Sequence, residues 1–432
     1  MRVGGWPGWV VLVAALVLAH CDGGEDTSVW DTGCDCDAED ESELIVDGCG
    51  EAWGHHTICI ESTEKDWRSL HEDPYDDDAI RVRLWFNDRR PAQADLKIHG
   101  GLSRTFKKKS YRLTLRESVP PFAVFGAEEV QRRFVLQASW VDPSFLRNWL
   151  TFTLLREAGG MAPRVDFAQV YVNGSYHGLY LLIERVDALF LERQGLETAA
   201  VLYKAENHNA NWRDKADPLA GFDVQEGPDD GHDDLGELLR RLTRTPRTEE
   251  AFAREIAPWL CLDDFMRWQR VHSFAQDYDS FTKNYYLYHD RVAVAGQAAF
   301  AFRIISWDAD ATWGNYWDGT PVPADGSPWE GGDGWYGGKP WYGTDGFSPR
   351  LFGVPSYWER YRADYLAALA TVWQPAVLQA RVAAMAEEIA EAAERDLAHW
   401  GRDRDFGAEV ARLLEAIAVR HQTMVSSLTS AP

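Results

Sequence analysis

Residues 279–290 read DSFTKNYYLYHD, and residues 305–314 read ISWDADATWG. In the first stretch Asp279 and Asn284 stand five positions apart, directly before Tyr285-Tyr286-Leu287-Tyr288, a run with the aromatic and aliphatic composition of a strand. In the second, the strand-like Phe302-Arg303-Ile304-Ile305 runs into Ser306-Trp307-Asp308-Ala309-Asp310. Two short strands thus end at an acid, an amide and two further carboxylates. Oxygen donors of that kind suit a hard divalent cation. Each piece alone has a plainer reading: the Asp-x-x-x-x-Asn spacing arises by chance, and Asp308 and Asp310 equally suit a structural calcium ion or a turn cap.

Upstream lies Lys107-Lys108-Lys109-Ser110-Tyr111-Arg112-Leu113. As a strand, its alternation puts Lys108, Ser110 and Arg112 on one face and Lys109 and Tyr111 on the other. A lysine run is most often a solvated edge. In this order, however, the chain offers cations for phosphate, carboxylates for a metal, and an acid to orient an attacking hydroxyl, which are the parts that phosphoryl transfer requires.

The rest of the chain supplies a scaffold. Ile80–Phe86, Leu96–His99, Tyr111–Leu115 and Phe134–Ala138 alternate as strands. Asp142-Pro143-Ser144 opens a helix over FLRNWLTFTLLREAGG, with Asp142 or Ser144 as its cap and Gly159-Gly160 as its stop. Asn173-Gly174 then predicts a hairpin. Residues 249–274 return to helical spacing, and residues 358–428 are helical and rich in alanine. Between them, residues 313–347 form a Gly- and Trp-rich loop in which Trp329, Trp335, Tyr336, Trp341 and Tyr342 offer an apolar surface for a peptide or glycan partner. Tyr176, Tyr180, Trp149 and Phe152 read as packing residues, Lys204 and Glu206 as a cleft pair or a surface pair, and His232 as a loop residue without a specific role.

Arg2, the apolar run Trp9–Ala19 and Cys21 have the layout of a secretory signal over residues 1–21. Leu18-Ala19-His20-Cys21 resembles a lipobox, although His20 stands where a small residue is usual, so lipidation at Cys21 and simple secretion both stay open. That lipid is the only expected membrane attachment, because no later stretch has the length of a membrane span. The chain is expected at the outer surface or in the periplasm. An acidic tether, residues 22–43, precedes the folded body at 44–432. Export favours disulfides among Cys34, Cys36, Cys49 and Cys59, with Cys261 a buried free thiol; a zinc site using Cys34, Cys36, His55 and His56 is the rival. The formal net charge of −24 argues against nucleic acid and requires anions to be met by a local basic cluster or by metal.

Several segments together resemble the CotH kinase-like family of spore-coat proteins: HGGLSRTFKKKSYRLTL, DPSFLRNWLTFTLLREAGG, VYVNGSYHGLYLLIERVD, LYKAE, DSFTKNYYLYHD and ISWDADATWG, within residues 80–400. The resemblance implies an α+β, atypical protein-kinase-like two-lobed fold, with a β-rich N-lobe over about 44–190 and a helical C-lobe over about 191–432. It implies transfer of the ATP γ-phosphate, with Mg²⁺ or Mn²⁺, to Ser or Thr hydroxyls of surface or envelope proteins. Asp279 takes the catalytic position, Asn284 and Asp308 hold metal with Asp310 as a rival, Lys108 or Lys109 meets phosphate, Arg104 faces phosphate, and Glu184 lies where a kinase hinge meets adenine. The departures are substantial. Asp277-Tyr278-Asp279 replaces His-Arg-Asp, there is no Asp-Phe-Gly, and no Gly-x-Gly-x-x-Gly loop covers the phosphates. The helix after Phe145 offers only Glu157 as the lysine's partner and leaves Arg147 and Asn148 to some other role. A non-catalytic surface adhesin or coat-assembly module on the same fold, and a calcium-stabilised structural protein, are the alternatives.

Overall fold

Alternation from Ile80 to Phe86 buries Val82, Leu84 and Phe86 and turns Arg81 and Arg83 outward, and the same period of two buries Ala92, Ala94, Leu96 and Ile98 in the following strand. Strands buried on one face need something to enclose, and here they close on themselves. The computed structural model describes residues 53–87, 91–116, 122–125, 130–229, 231–293, 300–326, 339–343 and 345–431. The signal, the tether, Cys21, Cys34, Cys36, Cys49, Trp329, Trp335 and Tyr336 lie outside the described residues.

In chain order the first part holds β1 (His56–Glu61), α1 (Glu64–Glu72), β2 (Ile80–Phe86), β3 (Ala92–His99), β4 (Ser110–Leu115), the short pair β5 (Phe122–Ala123) and β6 (Val130–Gln131), β7 (Arg133–Gln137), α2 (Arg147–Glu157), β8 (Val165–Val172) and β9 (Ser175–Glu184). Seven of these strands form a closed barrel in the order β1-β2-β3-β4-β7-β9-β8. The seam is the parallel pairing of β1 with β8, His56 opposite Ala168 through Ile60 opposite Val172. Closure leaves no edge strand in that sheet. The interior is apolar, with Ile58, Leu84, Leu96, Leu113, Phe134, Leu136 and Leu182 inside it. The β-rich half is therefore a barrel closed by a strand, β1, that the sequence reading did not identify.

The second part holds α3 (Ala188–Arg193), β10 (Val201–Ala205), β11 (Phe222–Glu226), α4 (Asp233–Arg244), α5 (Glu249–Glu255), α6 (Leu262–Phe274), β12 (Tyr285–His289), β13 (Arg303–Ser306), α7 (Ser348–Leu351), α8 (Pro355–Ala370), α9 (Pro375–His399) and α10 (Phe406–Ser430). Four strands make a second sheet in the order β11-β10-β12-β13. The long helices α9 and α10 pair through residues such as Leu378, Val382, Leu413 and Ile417, all fully buried. Each such side chain contributes about 1.5–3 kcal/mol by leaving water. The chain from Ile45 onward clusters as one compact unit. The α+β class is as expected; the two-lobed kinase arrangement is not separable as two bodies.

Helix α2 starts later than expected, with Leu146 and not Asp142 or Ser144 at the N-cap and no side-chain cap bond there. Asp142 accepts from the backbone N–H of Ser144 at 3.1 Å and of Arg147 at 2.9 Å, and so satisfies one of the four free donors of the first turn. Phe145 is forced to φ +61° in the bend before it, a conformation rare for a bulky residue. The helix is buried nearly all round, from Arg147 through Leu155. The hairpin at Asn173-Gly174 joins β8 to β9, both residues having positive φ. Cys59 is in a disulfide whose partner lies outside the described residues, and Cys261 is a free, partly buried thiol. His55 and His56 both turn to Asp166, at 2.6 and 3.3 Å. Trp341 and Tyr342 are partly buried and pack on the core, against Trp358 and Phe352. Among the described residues no helix is long and apolar enough to cross a membrane.

Candidate active site

The outer face of the barrel at β3, β4, β7 and β9 turns towards the ends of β10, β12 and β13, and a cavity of ≈ 680 Å³ lies between them. That volume is within the range of about 300–1,000 Å³ usual for ligand sites. The barrel side follows from strand alternation. Arg112 sits between the buried Tyr111 and Leu113, opposite Val135, which is in turn opposite Ile183, and all three line the cavity. Lys108 and Ser110 line it too, whereas Lys109 does not.

On the other side two residues leave ordinary backbone geometry. Asn284 has φ +59° and Asp308 φ +43°. Left-handed conformations are tolerated best by Asn and Asp and cluster where a site holds its side chains against local preference. Asn284 Nδ2 donates to Asp279 Oδ2 at 3.0 Å, and Lys283 Nζ lies 2.9 Å from the same oxygen. Gln137 of β7 donates to Asp308 Oδ1 at 3.3 Å. Asn148 of α2 donates to Gln137 Oε1 at 2.7 Å and accepts from the N–H of Ala309 at 3.0 Å. The role left open for Asn148 is thus to tie barrel, helix and carboxylate loop together.

The electrostatics divide the cavity. Burial, partly opposed by Lys283, pushes the Asp279 carboxyl up to about 6, with Asp308 and Asp277 adding to the rise. Asp308 and Asp310 are raised as well, by burial and, for Asp310, by Asp308 and Asp279 nearby. These three carboxylates therefore converge with too little positive charge among them. Beyond them the sign reverses. Burial, Lys204, Arg185 and Arg112 hold His99 well below its usual range, and burial with the neighbouring Arg185 brings Arg112 down to about 10. Arg185 Nε is buried without a hydrogen-bond partner among the described residues. In a chain with 44 Lys and Arg against 68 Asp and Glu, the cavity carries seven Lys or Arg against six Asp or Glu. The lining is therefore close to neutral where the chain as a whole is strongly acidic.

Lys204 is a cleft residue, 2.7 Å from Glu206, and its ammonium is raised because Tyr286, Glu206 and Asp308 outweigh its burial. Three other expected placements differ. Lys108 is fully buried, with Nζ 2.6 Å from Asp396 Oδ2 of α9 and 4.3 Å from the Tyr180 ring centre; burial lowers it to about 8, with Asp396 opposing. Its partner is not Glu157, which pairs with Arg381. Lys109 donates to the carbonyls of Arg104 and Phe106, both at 2.6 Å, and so pins the turn at residues 102–105. Glu184 is turned to Arg164 and Arg193 and does not line the cavity. Arg104 does line it, with its guanidinium on Asp77 at 2.8 Å. His99, Gln137, Arg185 and Lys283 were not singled out from sequence; only the alternation through Arg112 pointed towards that barrel face.

Among the described residues no three His, Cys, Asp or Glu side chains form a preformed metal cage. The donor set nonetheless fits Mg²⁺ or Mn²⁺ bound with a phosphate, since Mg²⁺ takes one or two carboxylates and fills its other positions with water and phosphate oxygens. Asn284 commits Nδ2 to Asp279, which leaves its amide oxygen for a cation, beside buried carboxylates short of positive charge.

The family model for CotH kinase protein matches residues 96–424, a span that takes in the barrel from β3, the cavity and most of α10. Inner spore coat protein H of Bacillus subtilis (strain 168) is 30% identical over 269 residues, covering 60% of this chain and 70% of its own length. On both counts the chain belongs to the CotH kinase protein family.

Proposed function

We propose that this protein is a kinase-like phosphotransferase that moves the γ-phosphate of ATP to Ser or Thr hydroxyls of exported surface or envelope proteins. The barrel face and the sheet ends act as the two walls of a kinase-like cleft. The observation that carries this reading is the division of one cavity into a carboxylate end, Asp279, Asp308 and Asp310, and a cationic end that holds Arg185, whose buried Nε has no partner among the described residues. Phosphates carry the charge that the cationic end needs, and a metal supplies what the carboxylate end needs.

Asn284, Asp308 and Asp310 would hold Mg²⁺ or Mn²⁺, which neutralises phosphate oxygens. Asp279, pushed up to about 6, is ionised at neutral pH yet remains basic enough to accept a hydroxyl proton. Lys283 holds that carboxylate in place from one side and Asn284 from the other. Arg185, Arg112 and Lys204 steer and hold the phosphates.

The purified protein with labelled ATP and Mg²⁺ or Mn²⁺ is expected to incorporate phosphate into itself, and the folded Asp279→Ala and Asp308→Ala variants are expected not to. No incorporation, with no thermal shift from metal and ATP, would refute the reading. One finding favours a second reading, a binding module of coats or surfaces without turnover: the relative is named as a spore coat protein. ATP binding that stabilises the protein without any transfer would support it. The calcium-scaffold alternative lacks a carboxylate cage among the described residues.

A further inference from the structure

Behind the cavity, and not itself part of its lining, stands a fully buried side-chain chain. His272 of α6 places Nδ1 2.7 Å from Asp277 Oδ2 and Nε2 2.8 Å from Ser306 Oγ. All three residues are at most 1% exposed, so no substrate reaches them, and a hydrolytic role for this Asp-His-Ser set is excluded by access alone. What it joins is informative. Asp277 Oδ1 accepts the backbone N–H of Asp279 at 2.8 Å, and the Asp277 N–H donates to the His272 carbonyl at 2.9 Å. Ser306 is the last residue of β13, two before Asp308. One imidazole therefore bridges the loop that carries Asp279 and Asn284 to the strand end that carries Asp308.

We propose that His272 is the positioning residue that sets the separation of Asp279 from Asp308, acting through Asp277 and Ser306. The proposal rests on the phosphotransfer reading of the same cavity. Other contacts between the two segments are backbone-directed: Ser280 Oγ donates to the Asp308 carbonyl at 3.0 Å, Trp307 N–H to that of Asn284 at 3.1 Å, and Tyr278 N–H to that of Ala311 at 3.0 Å. These hold the segments together, but Asp308 sits at positive φ and its carbonyl and carboxylate point differently. The imidazole is the rigid side-chain spacer, held in place by Trp268 and Phe281, whose ring centres lie 5.3 and 6.3 Å away. With Asp277 ionised, Nδ1 carries the proton and Nε2 accepts from the Ser306 hydroxyl. An error of about 1 Å in such a constellation costs on the order of a hundredfold in rate.

The test uses the full protein and three variants: Ser306→Ala, which removes one arm with little change in volume; His272→Asn, which keeps the arm to Asp277; and Ser306→Thr, which restores a hydroxyl. Two readouts are needed, Mn²⁺ binding in the presence of a non-hydrolysable ATP analogue, and transfer kinetics. Ser306→Ala and His272→Asn are expected to melt cooperatively, to lose about tenfold in Mn²⁺ affinity, and to lose at least about tenfold in kcat with nucleotide KM little changed, on the scale by which outer partners tune a site. Ser306→Thr should recover most of both. If Ser306→Ala and His272→Asn keep Mn²⁺ affinity within about twofold of the parent, the proposal is overturned, whatever the kinetics. If the parent binds Mn²⁺ and nucleotide but transfers nothing, the phosphotransfer reading fails, and the Mn²⁺ measurement still decides the role of His272.

Discussion

Replacing Asp279 by asparagine is expected to stabilise the ligand-free protein at pH 7.5 while it abolishes transfer. The side chain is 17% exposed and faces Lys283, yet burial still holds its carboxyl up at about 6, against an ordinary 3.8. Between those values the folded protein binds a proton that the unfolded chain has lost. Stability therefore falls as pH rises from about 4 to about 6 and is flat above that window. At about 1.4 kcal/mol for each tenfold change in acidity, keeping the buried charge costs about 3 kcal/mol at most. That figure already contains the opposing attraction of Lys283, so the neutral asparagine is expected to gain up to about 3 kcal/mol, corresponding to a rise of about 3 °C in Tm at about 2.1 cal/mol/K of unfolding entropy per residue. Thermal melts at pH 4.5 and 7.5 are the assay, because the gap should shrink to about a third at pH 4.5, where the folded parent already holds its proton and only the unfolded chain has lost it. Metal with ATP should raise the parent's Tm more than the variant's. A variant less stable than the parent at pH 7.5, or a gap of equal size at both pH values, would refute the electrostatic account of this site.

Two further outcomes test the parts around it. Asp396→Asn leaves the Lys108 ammonium buried without its ionic partner and is expected to cost about 3–5 kcal/mol in urea unfolding; an unchanged midpoint would show that the pair contributes nothing. Arg185→Ala is expected to weaken ATP binding by about tenfold or more in calorimetric titration without lowering Tm, since burying a guanidinium with an unpartnered Nε is itself unfavourable; an unchanged Kd would remove Arg185 from the phosphate site.

Local order in the chain was legible where the physics is local. Alternation gave β2 its bounds, and read β4 to within a residue, because a half-buried strand must repeat every two residues. Asn173-Gly174 announced the β8–β9 hairpin, because tight turns are satisfied by neighbours in sequence, whereas α2 begins at Arg147, past both expected caps. The same alternation placed Ser110 and Arg112 on the face that lines the cavity, whereas Lys108 and Lys109 precede β4 and lie outside its reach. Asp279, Asn284, Asp308 and Asp310 were found because two strand ends deliver them in order, and all four line one cavity.

Only the tertiary structure decided the partners. The barrel is closed by β1 pairing with β8 more than a hundred residues away, and a short strand carries no mark of which distant edge it will meet. Lys108 is neutralised by Asp396, 288 residues on, although the nearer helix offered Glu157. Glu184 and Lys109 turn away from the cavity for the same reason: a buried charge takes whichever counter-charge or carbonyl the packing brings within reach. Sequence by itself determined which residues this protein has available for phosphate and metal; the fold decided which of them face one another, because desolvation and pairing act through space and not along the chain.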